Sequence, residues 1–272
     1  MKQQNGKNYW VEILGIFLAL IWLSPFYLMV VNSFKTNRDI FEDVLGLPPE
    51  AVFANYVQAF HDLDFLNALW NSTFITVSSI VLIIIFSSMA GYALARNKSK
   101  LSGALLLIFV SAMLIPFQAV MITLTSFFSS FQMLNQYGLI FMYLGFGCSL
   151  AIFLYHGAMT GISITLDEAA TIDGASRFQT FWYIIFPLLK PISVTVAILN
   201  VIWIWNDYLL PSLVLSSEEA TIPINMYYFF GEYTRQWDLA LAGLTLAIIP
   251  IIIFYFFAQK QIISGVTDGA VK

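Results

Sequence analysis

Few side chains in this sequence are placed to do chemistry. His61 and His156 stand far apart and no HExxH pair is present, so a zinc protease is not expected. The single Cys148 excludes an intrachain disulfide and any multi-cysteine metal site. No GxxxxGK[ST] run occurs, so a nucleotide's phosphates lack their usual loop. Gly145-Phe-Gly147 is a lone GxG in an apolar run and reads as helix packing, and His156 reads as an interfacial or packing residue. No pair of carboxylates falls inside an apolar segment. Neither an enzyme nor a metal site is expected. Two polar stretches remain. One is EAATIDGASRFQTFWYIIFP, residues 168–187; the other holds Asn200, Trp203, Asn206 and Asp207 in an otherwise apolar run.

The elements that must position these stretches are membrane spans. Of 272 residues, 59% are hydrophobic and only 10% charged, against about 25% charged in soluble domains. Crossing a bilayer takes about 20 apolar residues, and six stretches qualify: 11–31, 69–95, 101–124, 139–162, 192–213 and 239–257. The first is too long for a signal h-region and no small-x-small cleavage site follows it, so it is expected to be kept. Lys2, Lys7, Arg96, Lys98, Lys100, Arg177, Lys190, Lys260 and Lys272 then fall on one side, and Lys35, Arg38 and Arg235 on the other. The basic excess predicts that both termini and residues 163–191 are cytoplasmic. The expected fold is all-α and polytopic, a single transmembrane domain over 1–272. Pro25, Pro116 and Pro250 fall within spans, where kinks are expected.

Thr165-Leu-Asp-Glu168 fits a capping box, with the Thr165 hydroxyl on the Glu168 amide and Glu168 reaching back. Asp167 and Glu168 suit a helix N-terminus. A short helix is expected from here, with small Ala169 and Ala170 on its surface and Gly174 ending it in the left-handed conformation. A second helix is expected from about Ala175 to just before Pro187. An amphipathic helix lying in the interface is the bland alternative, but such helices are usually basic and this tip is acidic.

Glu168-Ala169-Ala170, with Gly174, Ile184 and Phe186-Pro187 at the right spacing, resembles the EAA signature of ABC importer permeases, EAA-x3-G-x9-I-x-L-P. Phe186 replaces the leucine. Asp173 and Ala175-Ser176-Arg177 are similar to the carbohydrate branch, although Ser163 stands where that branch commonly has proline. PPEAVFANYVQAF (48–60), WNDYLLP (205–211) and SGVTDGAVK (264–272) resemble further runs of the same branch, in the same order. The chain is identified as similar to the second permease of maltose-type, raffinose-type and multiple-sugar importers.

That resemblance implies a type I importer permease fold in a bacterial cytoplasmic membrane. The partners would be a homologous second permease, two ATPase subunits that use ATP and magnesium, and an extracytoplasmic sugar-binding protein. No cofactor and no nucleic acid would bind this chain. Glu168, Ala169, Ala170, Asp173, Gly174, Ala175 and Arg177 would dock on an ATPase. The glutamate either caps its helix or pairs with a base on the partner. Gly265, Thr267, Asp268 and Gly269 would reach the ATPases from the tail. The cargo would be a carbohydrate, in particular an oligosaccharide, or else a polyol or glycerol phosphate.

The second polar stretch carries its own alternatives. At 100° per residue Asn200, Trp203 and Asp207 share a helix face, flanked by Asn206, and offer a sugar hydrogen-bond acceptors and an aromatic surface. Equally, Asn206 and Asp207 would bind a neighbouring helix, cap a break before Pro211, or lie at the outer interface. A carrier driven by an ion gradient would need intramembrane acids on several helices; Asp207 is a single case, and no inverted repeat is visible.

Overall fold

The computed structural model describes residues 9–227 and 236–270, without the side chains of 257, 258 and 260–270. The described residues are helical and contain no strand. Four helices are long and apolar enough to cross a membrane, and six spans result if each of two bent pairs is one span. Six spans were expected, but the second bent pair joins Arg177–Leu188 to Lys190–Trp205 and does not coincide with the expected stretch 192–213.

The chain divides into two compact units. Among the described residues the first comprises 9–65, 225–227 and 236–251. Its α1 (Tyr9–Asn32) runs unbroken through Pro25. None of the apolar window of α1 is buried by the chain itself. A helix apolar on every side needs lipid or another protein around it. After α1 come two short helices, α2 (Asn37–Glu42) and α3 (Ala54–Asp62). A capping box of Thr36 and Asp39 starts α2. The turn after it is closed by Asp43, whose carboxylate accepts from the Leu45 and Gly46 amides at 3.0 and 2.9 Å. The Gly46 and Leu45 amides, with Lys35 nearby, hold the Asp43 carboxyl below its ordinary pKa. Lys35, an outside cation in the charge pattern, is 1% exposed and donates to the Asp43 carbonyl at 2.6 Å.

Asn55 ties this unit together. Its buried amide donates to the carbonyls of Ser33 and Lys35 at 2.9 and 2.8 Å. Asn55→Ala should therefore strand two buried acceptors and cost about 1–3 kcal/mol. Thermal unfolding of the purified chain would register the loss, and an unchanged midpoint would refute it.

The second unit comprises residues 66–224 and 252–270 of those described. It is built around α7 (Gln136–Met159), which packs against α5 (Lys100–Ala112), α11 (Lys190–Trp205) and α12 (Leu209–Val214). Leu139, Tyr143, Ala151, Tyr155 and Met159 on α7 are fully buried. α4 (Phe65–Arg96) supplies Ile75, Ile80 and Ile83 to the same core. Of the glycine pair on α7, Gly147 is the packing residue: a Cβ there would lie 2.4 Å from Ile83 Cδ1. Gly145 faces open space.

Two expected spans are broken. The third divides into α5 and α6 (Phe117–Ser130), bent by 102°. Pro116 stands at the break with extended backbone, because it has no amide to continue the ladder. The fifth ends at Trp205 rather than near residue 213: the Asp207 amide closes onto the Ile204 carbonyl at 3.3 Å, and the chain restarts as α12, with Pro211 in its first turn, where no amide is needed. No comparable break occurs at Pro250, which lies inside α14 (Trp237–Ala270). The tail residues Gly265, Thr267, Asp268 and Gly269 belong to the backbone of α14, but their side chains lie outside the described residues.

Candidate functional site

The polar break between the fourth and fifth spans folds as two short helices around a left-handed turn. α8 runs Thr165–Ile172. The expected capping box is not formed, because the helix begins earlier than its residues require. Ser163 Oγ accepts from the Thr165 amide at 3.3 Å, and the Glu168 amide goes to the Ile164 carbonyl at 3.2 Å. Thr165 is thus already helical and cannot cap. Ser163, one of the two departures from the resembled pattern, supplies the oxygen that accepts the Thr165 amide. Glu168 is exposed and free of the capping role, which leaves its carboxylate open to a partner.

Gly174 ends α8 as expected, at φ +81°. The Ala175 amide donates to the Ala170 carbonyl at 2.9 Å and the Gly174 amide to Thr171 at 3.1 Å. This pair of bonds is the Schellman closure, which needs a residue at ease with positive φ. A Cβ added to Gly174 would meet nothing within 4 Å. The two alanines divide in role: Ala169 is exposed, while Ala170 is 3% exposed and packs inward. Asp173 and Arg177 are exposed beside the turn and Ala175 is half-buried.

α9 (Arg177–Thr180) carries the capping box that Thr165 lacks: Ser176 Oγ accepts from the Gln179 amide, and Gln179 Oε1 accepts from the Ser176 amide at 2.8 Å. The helix does not stop before Pro187. It widens into a π turn over Phe181–Ile185, then runs as α10 (Phe186–Leu188) and bends by 75° into α11. Pro187 lacks an amide and would crowd the carbonyl four residues back, and the wider turn relieves both.

The structure adds residues to the expected surface. Ile172 is 85% exposed beside the turn, an apolar side chain in one of the unspecified positions of the signature. Phe178 and Tyr183 are also exposed nearby. Asp167, read from sequence only as a dipole partner, turns inward. Its Oδ1 accepts from Tyr92 Oη at 2.6 Å, and its Oδ2 lies 2.9 Å from Arg96 Nη2. An inward acid was invisible in sequence because its partners come from the end of α4.

The second polar stretch is brought together differently from a helix stripe. α11 ends before Asn206, so Asp207 leaves its axis. Asp207 Oδ1 accepts from the Leu209 amide at 3.0 Å and starts α12, while Oδ2 accepts from Tyr143 Oη at 2.9 Å. Trp203 packs edge-on against the same Tyr143 ring at 5.3 Å. Asn200 is buried and donates to its own Val196 carbonyl, and exposed Asn206 does likewise to Ile202. Tyr143 thereby joins Trp203 and Asp207. A small cavity beside it is lined by Ser72, Thr76, Tyr143, Trp205 and Thr221.

Residues 83–268 match the family model described as "Binding-protein-dependent transport system inner membrane component". The chain is 51% identical, over 100% of both chains, to the probable starch degradation products transport system permease protein AmyC of Thermoanaerobacterium thermosulfurigenes. It is 36% identical, again over 100% of both, to the multiple sugar-binding transport system permease protein MsmG of Streptococcus mutans. Among solved structures, one chain of a bacterial ABC transporter that imports the acidic polysaccharide alginate matches with a TM-score of 0.78 and 27% identity, over 96% of this chain and 98% of that one. With its EAA-type turn and broken spans in place, this chain belongs to the binding-protein-dependent inner membrane components, the membrane-spanning permeases of ABC importers.

Proposed function

We propose that this permease passes a carbohydrate, an oligosaccharide in particular, across a bacterial cytoplasmic membrane, with both termini inside. The full-length 51% identity to a permease for starch degradation products carries this reading. A homologous second permease would complete the path, two ATPase subunits would supply the power, and an extracytoplasmic binding protein would deliver the sugar. ATP and magnesium would be used by the ATPases, since this chain has no phosphate-cradling loop.

The turn around Gly174 is the point of power input. Glu168, Ala169, Asp173, Gly174 and Arg177 present small and charged groups, and Ile172 an apolar anchor. Such a rigid tip seated in a cleft of an ATPase passes rigid-body motion to the spans. Gly265, Thr267, Asp268 and Gly269 would make a second contact with the ATPases. Asn200, Trp203 and Asn206 would stand along the sugar path, with Asp207 bracing the helices beside it.

The test is uptake into proteoliposomes holding the complete importer with its binding protein. The panel is radiolabelled maltotetraose, raffinose, sorbitol and glycerol 3-phosphate. ATP-dependent uptake of an oligosaccharide, competed by unlabelled sugar, is the expected result. Uptake of sorbitol or glycerol 3-phosphate alone would replace the carbohydrate reading.

A further inference from the structure

Two routes lead from the α8 tip into the spans. One follows the chain through α9, the π turn at Phe181–Ile185 and the 75° bend into α11. A π turn and a sharp bend in series make this a compliant route. The other leaves the chain and crosses from α8 to the end of α4. There Arg96 Nη1 donates to the Ile162 carbonyl at 3.1 Å and Nη2 to Ser163 at 3.4 Å, at the start of α8. Nη2 also lies 2.9 Å from Asp167 Oδ2. Tyr92 Oη donates to the other Asp167 oxygen at 2.6 Å, and the Tyr92 ring packs on Phe181 at 5.4 Å.

The charged pair is sheltered: the Arg96 and Asp167 side chains are 18% and 16% exposed. It is also incompletely satisfied. Arg96 Nε is buried without a partner, and Asp167 Oδ2 is close to the guanidinium without being aligned for a hydrogen bond. Pulling α8 from α4 would leave two poorly hydrated charges uncompensated, so the contact resists separation far more than an exposed ion pair. α4 is unbroken for 32 residues, roughly 48 Å at the helical rise. At its other end Asn67 and Asn71 hold the carbonyls of Glu218 and Ala220, and Ser72 Oγ accepts from the Ile222 amide. A stiff rod therefore links the tip region to the segment after α12.

We propose that Tyr92, Arg96 and Asp167 form a latch that makes α4 follow α8, so that the tip's displacement enters the spans through α4. These are positioning residues, and the proposal rests on the reading of α8 as the ATPase-coupling helix. A latch predicts that loosening it separates ATP hydrolysis from transport without dismantling the complex.

The measurement is ATP hydrolysed per sugar taken up by the complete importer in proteoliposomes, using the panel sugar the parent transports. Arg96→Lys keeps the charge and loses the planar fork. Asp167→Asn keeps the shape and loses the charge. Both should raise the ratio about tenfold, within the usual range of coupling between sites, with Tyr92→Phe raising it less. The double variant Arg96→Lys with Asp167→Asn should be no worse than the poorer single, because members of one contact do not add. A parental ratio in assembled complexes would overturn the latch. So would single effects that add in the double, or failure of every variant to assemble, Tyr92→Phe included, which would assign the contact to folding alone. Gly174→Val on the same complex separates the two levels. If it uncouples while the latch variants do not, only the latch falls; if it transports like the parent, the coupling reading of α8 falls first and the latch with it.

Discussion

Gly174→Val should leave the chain inserted and bound to its ATPases while lowering sugar uptake to about a tenth of the parent or less, a coupling loss of ordinary size. Two effects contribute. Valine is penalised at φ +81°, by about 1–3 kcal/mol for a non-glycine held in a left-handed position. A Cβ added at Gly174 meets nothing within 4 Å, so the steric block is expected from a docked partner. Gly174→Asn separates the two, because asparagine tolerates the left-handed region but still adds bulk. Equal loss with valine and asparagine assigns the effect to close approach. Retained uptake with asparagine assigns it to backbone conformation. Parental uptake by Gly174→Val, with ATPases assembled, would remove the turn from the transmission path.

Asp207→Ala should destabilise the purified complex, because the carboxylate starts α12 and receives the Tyr143 hydroxyl. Tyr143 is fully buried, so its hydroxyl would be left without an acceptor, at about 1–3 kcal/mol. Asp207→Asn should lose less, since one amide oxygen still accepts while the amide nitrogen faces a donor. Tyr143→Phe should cost little further in the Asp207→Ala background, as expected of partners in one bond. Thermal unfolding of the four complexes tests this. Parental stability in Asp207→Ala, with altered choice among the panel sugars, would make Asp207 a path residue and not a strut.

The spans were legible in the sequence because hydropathy alone demands them, and the turn at Gly174 was legible because only one residue type sits easily at positive φ. The breaks were less so. Pro25, Pro116 and Pro250 look alike in sequence, yet only Pro116 stands at an interruption. The other two lie inside unbroken helices, and what absorbs a missing amide is decided by neighbours that a local reading does not see. Asp207 was placed on a helix face by a periodicity that ends at Trp205, and it starts α12 instead. Thr165 and Glu168 matched a capping box, but the cap position of α8 falls one residue earlier, at Ile164, with the Ser163 hydroxyl taking the Thr165 amide. The Tyr92–Arg96–Asp167 contact joins residues some seventy positions apart, which no spacing rule could bring together.

The π turn before Pro187 has a further meaning as a setting of angle. It places one residue more in its turn than an α-helix would, and each residue of a helix is worth about 100° of rotation. The turn therefore fixes the azimuth at which α8 and its glycine tip leave the axis that leads into α11. Losing one residue from 181–185 would leave hydropathy, charge and the signature's residues almost intact, yet turn the tip by about a quarter of a revolution. The spacing between Gly174 and Pro187 is in this sense an aiming device, and its length matters more than most of the residues that fill it.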